Sequence, residues 1–350
     1  MARILFVAPQ PSSFIELDRE LLAERHEVVP VYGRRPPRNL RALARAVRRA
    51  DVVFGWWAHL HTLVPFALAS RAGTPTVLVV GGFDTANLPE IGYGNQRGGW
   101  RRRVSRFVMA RADVLATNAR YSVGELERNA GIPPERVTVV HHGVPDLFRA
   151  DPADPERRAI TVGNVDAVNF ERKGLHPFVL AAAELPDVRF EVVGRDVDGT
   201  AAKLRAIAPP NVEIAGFVDQ AELEARMRRA AAYVQASQHE GFGVSVAEAM
   251  LAGAIPVVTA AGALPEVVGD VGIVVDDAAP ATLAAAVGRA LDAGPDRRRA
   301  ARERVLREFS VKQRREGLEE LIASALSRAR PWVSSKRLAP SPAEGPGPSS

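Results

Sequence analysis

The chain has 350 residues, of which 47% are hydrophobic and 6% aromatic, and it contains no cysteine. The missing cysteines exclude a disulfide-stabilised scaffold and any thiolate chemistry. A net charge of +5 is small for this length and does not indicate a nucleic-acid-binding protein.

One segment, residues 52–70, carries no charged side chain and is long enough to reach across a bilayer. Two histidines and Pro65 interrupt it, however, and it divides well into a strand at 51–54 and a helix at about 60–71. The apolar run at 4–8 is too short for the core of a signal peptide. We therefore expect a cytoplasmic protein without a membrane-spanning helix.

Short runs rich in valine and isoleucine alternate with longer amphipathic stretches along the chain. This alternation predicts parallel βαβ units and hence an α/β fold with doubly wound sheets. Ser13 and Glu16 form the pattern of a capping box at the start of the first helix. The predicted strands fall into two series, first 4–8, 27–32, 51–54, 76–80, 114–117 and 137–141, then 159–163, 188–193, 212–215, 232–235, 255–259 and 272–275.

A Pro- and Asp-rich stretch around residues 145–156 separates the two series. It predicts an N-terminal domain over 1–150 and a C-terminal domain over 157–328, whose last helix could return to the first domain. Residues 331–350 have the composition of a disordered tail. The N-terminal 150 residues contain 21 basic and 13 acidic side chains, a net charge of +8, whereas the remainder is slightly acidic.

The most informative motif follows the predicted strand 232–235. Gly241 and Gly243 let the chain turn tightly into a helix and let a ligand approach the backbone. The free N–H groups at such a helix start favour a phosphate. Glu240 precedes the turn and Glu248 lies on the helix. Two carboxylates around an anion-binding helix end suit a ligand with hydroxyl groups on both sides of a diphosphate, such as a nucleotide sugar.

Several of these residues also have a purely structural interpretation. Ser245 and Glu248 match a capping box, in which Glu248 only secures the start of its own helix. A lysine at a predicted helix start, such as Lys173, is equally typical of a solvated surface. Glu266, in a predicted loop, is equally typical of a residue that stabilises a turn. The predicted position of Lys173 directly after a strand and its loop favours a ligand role.

The spacing of Glu240 and Glu248 resembles the E-x7-E motif of retaining glycosyltransferases of family 4, which have the GT-B fold of two Rossmann-like domains facing a cleft. The resemblance continues through residues 140–144, 172–174, 252–258 and 262–268. It implies transfer of a sugar, with retention, from a nucleotide diphosphate sugar to an acceptor hydroxyl in the synthesis of a cell-envelope polysaccharide, glycolipid or glycoconjugate. A nucleotide-sugar epimerase on the same fold and a non-catalytic sugar-nucleotide binding protein are the alternatives.

The resemblance also implies roles for individual residues. Glu240 would hold the donor sugar, Glu248 the ribose hydroxyls, and Arg172 or Lys173 the diphosphate. The whole set of predicted donor-binding residues is Arg172, Lys173, Gly241, Phe242, Gly243, Val244, Glu248 and Glu266. No spacing of metal ligands occurs in the sequence, so we expect neither a metal nor a cofactor besides the nucleotide-sugar co-substrate.

The chain departs from the family pattern at three places. Asn164 stands where the family usually has an arginine, and we expect Arg172 to supply that charge. Residues 10–13 replace a glycine pair, and a Gly-Gly-Phe-Asp run ending at Asp84 replaces a frequent histidine. Asp84 is predicted to act at the acceptor or reacting centre, with turn capping as the alternative. His59, after the third strand, is predicted to face the same cleft and, with Glu240 and Asp84, to be a catalytic residue.

A basic stretch occupies residues 97–111. At helical spacing its apolar residues share one face, with arginines around the rest, as in helices that lie on anionic membranes. The alternative is a surface helix whose apolar face packs on the sheet. The first interpretation would fit a peripheral protein at the inner membrane face and a membrane-borne or acidic acceptor.

Overall fold

The computed structural model describes residues 1–35, 39–147 and 155–328. The predicted tail 331–350 and residues 148–154 of the predicted boundary lie outside them. The described chain contains two parallel six-stranded sheets, one in each half, with apolar layers on both faces of each. The predicted α/β class with two doubly wound sheets is confirmed.

The first sheet has the strand order β2-β1-β3-β4-β5-β6. Alternate residues of β1 point to opposite faces, so Ile4 and Phe6 enter one apolar layer and Leu5 and Val7 the other. The strands are β1 Arg3–Ala8, β2 Glu27–Tyr32, β3 Val52–Trp56, β4 Thr76–Val80, β5 Val114–Thr117 and β6 Val137–Val139. The helices of this half are α1 Ser13–Ala23, α2 Leu40–Arg49, α3 Leu60–Ala72, α4 Gly99–Arg111 and α5 Arg120–Glu125, which continues as a π-helical turn, Leu126–Ala130.

The second sheet has the order β12-β11-β10-β7-β8-β9. Its strands are β7 Glu156–Val162, β8 Arg189–Val193, β9 Val212–Gly216, β10 Ala230–Gln235, β11 Ile255–Thr259 and β12 Ile273–Val275. The helices are α6 Ala167–Arg172, α7 Leu175–Ala181, α8 Thr200–Ile207, α9 Gln220–Arg229, α10 Val244–Leu251, α11 Leu264–Val268, α12 Pro280–Leu291, α13 Pro295–Glu308 and α14 Val311–Ser327. Short 3₁₀ turns lie at Pro89–Ile91, Asn95–Arg97, Pro134–Arg136 and Ala182–Glu184.

The predicted capping box at the first helix is wrong. Helix α1 begins at Ser13, its N-cap is Ser12, and no side chain caps it. Glu16 instead accepts hydrogen bonds from Arg19 Nε, at 2.8 Å, and from the hydroxyl of Tyr32. The carboxylate that the local pattern assigned to the helix end is therefore hydrogen-bonded to a residue of the adjacent strand β2 instead.

The uncharged segment 52–70 forms β3 and most of α3, with Pro65 inside the helix. No helix among the described residues has both the length and the apolarity needed to cross a bilayer.

Helix α14 leaves the C-terminal half and packs on the first sheet. Its Leu318 and Ile322 enter the same apolar layer as Phe6. Arg314, 1% exposed, forms a two-pronged ion pair with Asp18 of α1, with N–O distances of 2.8 and 2.6 Å. Arg314 also donates to the carbonyl of Val140 at 2.6 Å, so one guanidinium joins α14 to α1 and to the chain that follows β6.

Replacing Arg314 by leucine is expected to lower the free energy of unfolding by about 3–5 kcal/mol, because Asp18 would stay buried without its partner. The measurement is urea unfolding followed by circular dichroism. Arg315, next in the same helix, pairs with Glu24 at the surface, so the control Arg315→Leu should cost about 1 kcal/mol or less. Equal losses in the two variants would contradict the assignment.

Candidate active site

A cleft of about 910 Å³ lies where the carboxyl ends of the strands of both sheets face each other. Ligands bind at this edge of open parallel sheets. The N-terminal half contributes Trp57, Gly82 and Tyr93 to its walls, among others. The C-terminal half contributes most of the predicted donor-binding set, namely Arg172, Lys173, Gly241, Phe242, Gly243, Val244 and Glu248, together with Glu240.

The glycine turn connects β10 to α10. Gly243 is the N-cap of α10 and has a φ of 99°, a left-handed conformation that favours glycine. A Cβ on Gly241 would lie 2.9 Å from the backbone nitrogen of Gly82 in the other half. Gly241 therefore lets the two backbones approach closely across the cleft, a consequence that the sequence motif did not indicate.

Glu240 lies beside two cations. Its Oε2 is 3.6 Å from Lys173 Nζ and 3.9 Å from the guanidinium of Arg172. This oxygen is buried and accepts no hydrogen bond within the described chain. Burial raises the pKa of Glu240, but Lys173 and Arg172 together outweigh it and hold the pKa below its usual value. Glu240 is thus an ionised carboxylate with acceptor capacity left for a ligand hydroxyl.

The two cations differ in how many of their N–H donors are already used by other groups of the protein. Arg172 donates twice to Asn169 Oδ1, at 2.7 and 3.2 Å, and once to the carbonyl of His239, at 3.1 Å. Its guanidinium also lies 4.9 Å from the ring centre of Tyr93, across the cleft. Lys173 has only the contact with Glu240 among the described charged groups. Lys173 is therefore the cation with more donor capacity left for an anion.

The side chain of Glu248 has no hydrogen bond or ion pair with any described residue, although it lines the cleft. Burial raises the pKa of its carboxyl group to about 7. The capping-box alternative for this residue is wrong, since α10 has no side-chain cap and Ser245 Oγ instead accepts a hydrogen bond from Tyr233 at 2.8 Å. The Glu248 carboxyl group therefore makes no interaction with the described residues that would give it a structural role.

Asn164, which stands at the position of the family's arginine, also lines the cleft. Phe242 is buried and packs against the ring of His142, with centres 5.1 Å apart. His142 in turn stacks on Trp56 of the N-terminal half at 5.8 Å. These rings form the back wall of the cleft where the two halves meet.

Glu266 does not line the cleft. Its carboxylate oxygens accept the backbone N–H groups of Arg120 and Tyr121, at 3.1 and 3.3 Å, at the start of α5. His141 Nε2 lies 2.7 Å from the same group. Burial raises the pKa of Glu266, but the hydrogen bonds from His141 and from the backbone N–H groups have the larger effect. The pKa of Glu266 is therefore lower than its usual value. The geometry favours a role in joining the two halves, and a donor contact by Glu266 stays a prediction.

Asp84 and His59 do not line the cleft with Glu240 but lie on a smaller neighbouring pocket. Asp84 accepts backbone N–H groups from Gly81 at 2.9 Å and Ala58 at 3.0 Å, as expected for the turn-capping alternative. Burial raises its pKa to about 7, although these hydrogen bonds oppose the change. Burial, aided by Arg101, lowers the pKa of His59. Their catalytic roles stay predictions.

One buried pair beside the cleft could not be predicted from the sequence. His239 Nε2 lies 2.9 Å from Glu125 Oε1, and the hydroxyl of Thr85 donates to Glu125 Oε2 at 2.8 Å. His239 belongs to the C-terminal half and Glu125 to α5 of the other. Glu266 and His239 therefore hold the two ends of α5. Only the fold brings together residues 114 positions apart.

Within the described ranges, no group of three or more acidic or histidine side chains is arranged to hold a metal ion. The polar groups of the cleft are instead a carboxylate pair, two cations and the start of a helix.

Two Rossmann-like domains that face each other across such a cleft define the GT-B class. Solved structures agree with this assignment of the fold. HepE of Anabaena, solved with UDP and glucose, has a TM-score of 0.74 at 18% identity, over 93% of this chain and 100% of that one. The sucrose-phosphate synthase of Thermosynechococcus elongatus has a TM-score of 0.74 at 17% identity over the same shares.

Two family models match the sequence. "Glycosyltransferase Family 4" matches residues 3–146 and "Glycosyl transferases group 1" matches residues 156–293, so that one match lies in each domain. The chain belongs to the glycosyltransferases of family 4, which confirms the predicted family and its GT-B fold, while retention stays a prediction.

Curated relatives include two mannosyltransferases. The GDP-mannose:cellobiosyl-diphosphopolyprenol alpha-mannosyltransferase of Xanthomonas oryzae is 32% identical over 232 residues, 61% of this chain and 57% of that protein. The MMP alpha-(1->4)-mannosyltransferase of Mycolicibacterium hassiacum is 31% identical over 210 residues, 57% of this chain and 49% of that protein. The chain thus spans about half the length of the curated relatives it matches.

Proposed function

We propose that this protein is a retaining hexosyltransferase that moves a sugar from a nucleotide diphosphate sugar to an acceptor hydroxyl without a metal ion. The observation that carries the proposal is the placement of Glu240 and Glu248 on either side of the glycine turn that starts α10. Lys173 and Arg172 stand against the first carboxylate. Membership of family 4 supports the same reaction.

Each end of the donor then meets a group that can bind it. Glu248, which has no protein partner, accepts hydrogen bonds from the ribose hydroxyls. Glu240, ionised and with one unpaired oxygen, holds hydroxyls of the donor sugar. The diphosphate lies between them, at the N–H groups of the α10 start, with Lys173 as its counter-charge.

The chemistry follows from where charge develops. The bond between the sugar's anomeric carbon and the phosphate oxygen breaks, and its electron pair stays on the diphosphate. Fixed donors and cations that need no reorganisation stabilise this charge. The acceptor oxygen bonds to the anomeric carbon on the same face, and its proton passes to the departing phosphate oxygen. Configuration is then retained without a protein nucleophile.

We infer GDP-mannose as the first donor to test and a lipid-linked sugar as the first acceptor. The relative from Xanthomonas oryzae is named for GDP-mannose and a diphosphopolyprenol acceptor, and the relative from Mycolicibacterium hassiacum is also a mannosyltransferase. The solved HepE structure holds UDP, so UDP-sugars belong in the same test. Such an acceptor would place the protein in the synthesis of a cell-envelope polysaccharide or glycoconjugate.

A donor panel tests the proposal. We expect one of the UDP-, GDP-, ADP- or TDP-sugars to raise the melting temperature, since a ligand at a hundred times its Kd stabilises by about 2.7 kcal/mol. The same donor should release free nucleoside diphosphate, and NMR of the product should show the donor's anomeric configuration. Binding without turnover would favour the non-catalytic alternative, interconversion of the donor sugar an epimerase, and inversion would refute retention.

We further propose that α4 contacts an anionic membrane surface from the cytoplasmic side. Its apolar face packs on the sheet, where Val108 is fully buried, so the contact uses the side that points outward. Trp100, at the start of α4 and with the helical spacing of the apolar face, is 52% exposed. Arg101, Arg102 and Arg103 of α4 are exposed. Helix α2, which packs into the same apolar layer of the domain, exposes Arg41, Arg45, Arg48 and Arg49. A tryptophan among arginines is typical of such surfaces.

Vesicle sedimentation checks this contact. Binding to phosphatidylglycerol-containing vesicles is expected at low salt, weakening at high salt, because each arginine near an anionic surface contributes about 1 kcal/mol. Replacing Arg101, Arg102 and Arg103 by glutamine should lower it strongly. The control replaces Arg299 and Arg307, exposed on α13 of the other domain. If the unmodified protein does not sediment with the vesicles at low salt, the proposed membrane contact is refuted.

A further inference from the structure

Tyr93 of the N-terminal domain lines the cleft and faces the donor-binding groups of the other domain. The guanidinium of Arg172 lies 4.9 Å from its ring centre, and the ring of His239 lies 5.5 Å away. Its hydroxyl oxygen is 3.8 Å from the position that a Cβ on Gly82 would take, and Gly82 is the residue that meets Gly241 across the cleft. The hydroxyl therefore lies beside the glycine turn where the diphosphate is proposed to bind.

The contacts of this side chain involve its ring and not its hydroxyl. Phe83 packs edge-on against the ring, with centres 5.0 Å apart, and Arg172 and His239 also approach the ring. Within the described ranges, no residue forms a hydrogen bond with the hydroxyl, although it borders the cleft. Like the Glu248 carboxyl group, it has its hydrogen-bonding capacity left for a ligand.

The electrostatic surroundings keep the hydroxyl in its donating form. Burial raises the pKa of Tyr93 to about 12, although Arg172 opposes this change. The other charged groups that act on it are Glu240, Asp84 and Glu125, and all three raise the pKa further. The hydroxyl is therefore protonated at neutral pH. Because the nearby cation favours negative charge on the oxygen, it also makes the hydroxyl a better donor to an anion.

The backbone holds Tyr93 in a fixed position. Leu88 and Tyr93 form an antiparallel bridge with two backbone hydrogen bonds of 3.0 Å each. Two residues on, the N–H group of Asn95 donates to the carbonyl of Phe83 at 2.7 Å. The segment that carries Tyr93 is thus tied to itself and to the glycine-rich segment after β4. A donor that needs no reorganisation is what stabilisation of developing charge requires.

We propose that Tyr93 is a catalytic residue whose hydroxyl donates a hydrogen bond to a non-bridging oxygen of the departing phosphate. The inference rests on the proposed transfer reaction and adds to it a group from the N-terminal domain. The hydroxyl keeps its own proton throughout. As the bond between the sugar and the phosphate oxygen breaks, negative charge grows on the phosphate and this hydrogen bond strengthens. Lys173 and the start of α10 act on the same charge from the other domain.

Tyr93→Phe tests this role in turnover, because it removes the hydroxyl and keeps the ring that contacts Arg172. The value of kcat should fall about a hundredfold, as for the loss of one preorganised donor, whereas KM for the donor should change little. Tyr121→Phe is the matched control, since the ring of Tyr121 lies 6.2 Å from that of His239 but does not line the cleft. It should keep the parent's kcat. Equal kcat values in the parent and Tyr93→Phe would overturn the proposal.

Binding of reaction products tests the contact without turnover. Calorimetry is run with UDP, GDP, ADP and TDP and with the corresponding monophosphates. The terminal phosphate of a nucleoside diphosphate carries the charge that the departing phosphate gains. Tyr93→Phe should bind the preferred diphosphate about tenfold more weakly than the parent, the loss of one hydrogen bond to a charged group. It should bind the monophosphate like the parent. Unchanged diphosphate binding, or equal weakening for both nucleotides, would contradict the contact.

A more acidic phenol separates hydrogen bonding from a structural role. A hydroxyl that must donate contributes below its pKa and stops contributing above it. In the parent the pKa of about 12 places this loss at strongly alkaline pH. When Tyr93 is replaced by difluorotyrosine, whose hydroxyl is more acidic, kcat should fall at a lower pH than in the parent. An alkaline limb at the same pH in both proteins would refute donation by Tyr93.

The two kinds of measurement separate this inference from the proposed function. Turnover of a nucleotide sugar that Tyr93→Phe retains in full refutes only the role of Tyr93. Binding of a nucleoside diphosphate that depends on the Tyr93 hydroxyl, in a protein that turns over no nucleotide sugar, refutes the transfer reaction and leaves the phosphate contact standing.

Discussion

Replacing Lys173 by methionine is expected to lower kcat/KM for the donor about a hundredfold or more, the loss typical of one preorganised group that stabilises developing charge. Lys173 lies at the cleft with its nitrogen 3.6 Å from Glu240 and its aliphatic chain against Gly163. Methionine keeps most of that packing and removes only the charge. Stopped assays of nucleoside diphosphate release measure the effect.

Lys203→Met is the matched control, since Lys203 is an exposed lysine of α8 in the same domain. It should retain the parent's activity. Arg172→Ala in the same assay tests whether Arg172 supplies the charge that Asn164 does not, and unchanged donor affinity would contradict that role. If Lys173→Met keeps activity within a few fold of the parent, Lys173 is not the counter-charge of the diphosphate.

The Lys173 variant should also change the pH profile. Burial raises the pKa of Glu240, and Lys173 is the largest of the charges that oppose it. Without Lys173 the pKa of Glu240 rises, so the remaining activity should require a higher pH than in the parent. A merely structural lysine would lower activity at all pH values alike.

Donor affinity is expected to increase with pH from about 6 to 8 and to level off above. Burial raises the pKa of Glu248 to about 7, and only the ionised carboxylate can accept both ribose hydroxyls. Affinity is therefore fully present above this pKa and falls below it, approaching tenfold per pH unit for a single required ionisation. Glu240, with its lowered pKa, stays ionised in this range and does not contribute.

Calorimetry with an intact nucleotide sugar measures this dependence, because its diphosphate does not titrate between pH 5.5 and 8.5. Glu248→Gln should bind more weakly than the parent at pH 8 and show a flat profile. A slope of the same size in Glu248→Gln would assign the titration to another group.

Much of the fold was predictable because the signals for it are local. Each predicted strand, from 4–8 to 272–275, overlaps an observed one. The inner strands of both sheets were the clearest, since strands buried on both faces read as continuous apolar runs. The turn at Gly241 and Gly243 was likewise visible in the sequence, because its conformation needs glycine at fixed positions. Residue type and spacing alone therefore predicted the class of fold and placed the carboxylate pair at the end of β10.

Local patterns failed where a distant segment competed for the same side chain. Glu16 matched a capping box but bonds to Tyr32 on β2, and Ser245 matched another but bonds to Tyr233 on β10. Glu266 could not be assigned from its own loop, because its partners at the start of α5 lie about 145 residues earlier in the chain.

The sequence by itself determined the two-domain α/β fold, the family and the donor-side motif, because these depend on residues close together in the chain. Only the tertiary structure decided which groups are left free to bind. It showed that the protein already uses most N–H donors of Arg172 but fewer of those of Lys173. It also showed that the Glu248 carboxyl group has no partner and that His61 has an unpaired acceptor nitrogen beside a pocket. The physical reason is that a side chain's free hydrogen-bonding capacity depends on all its neighbours, most of which are distant in sequence.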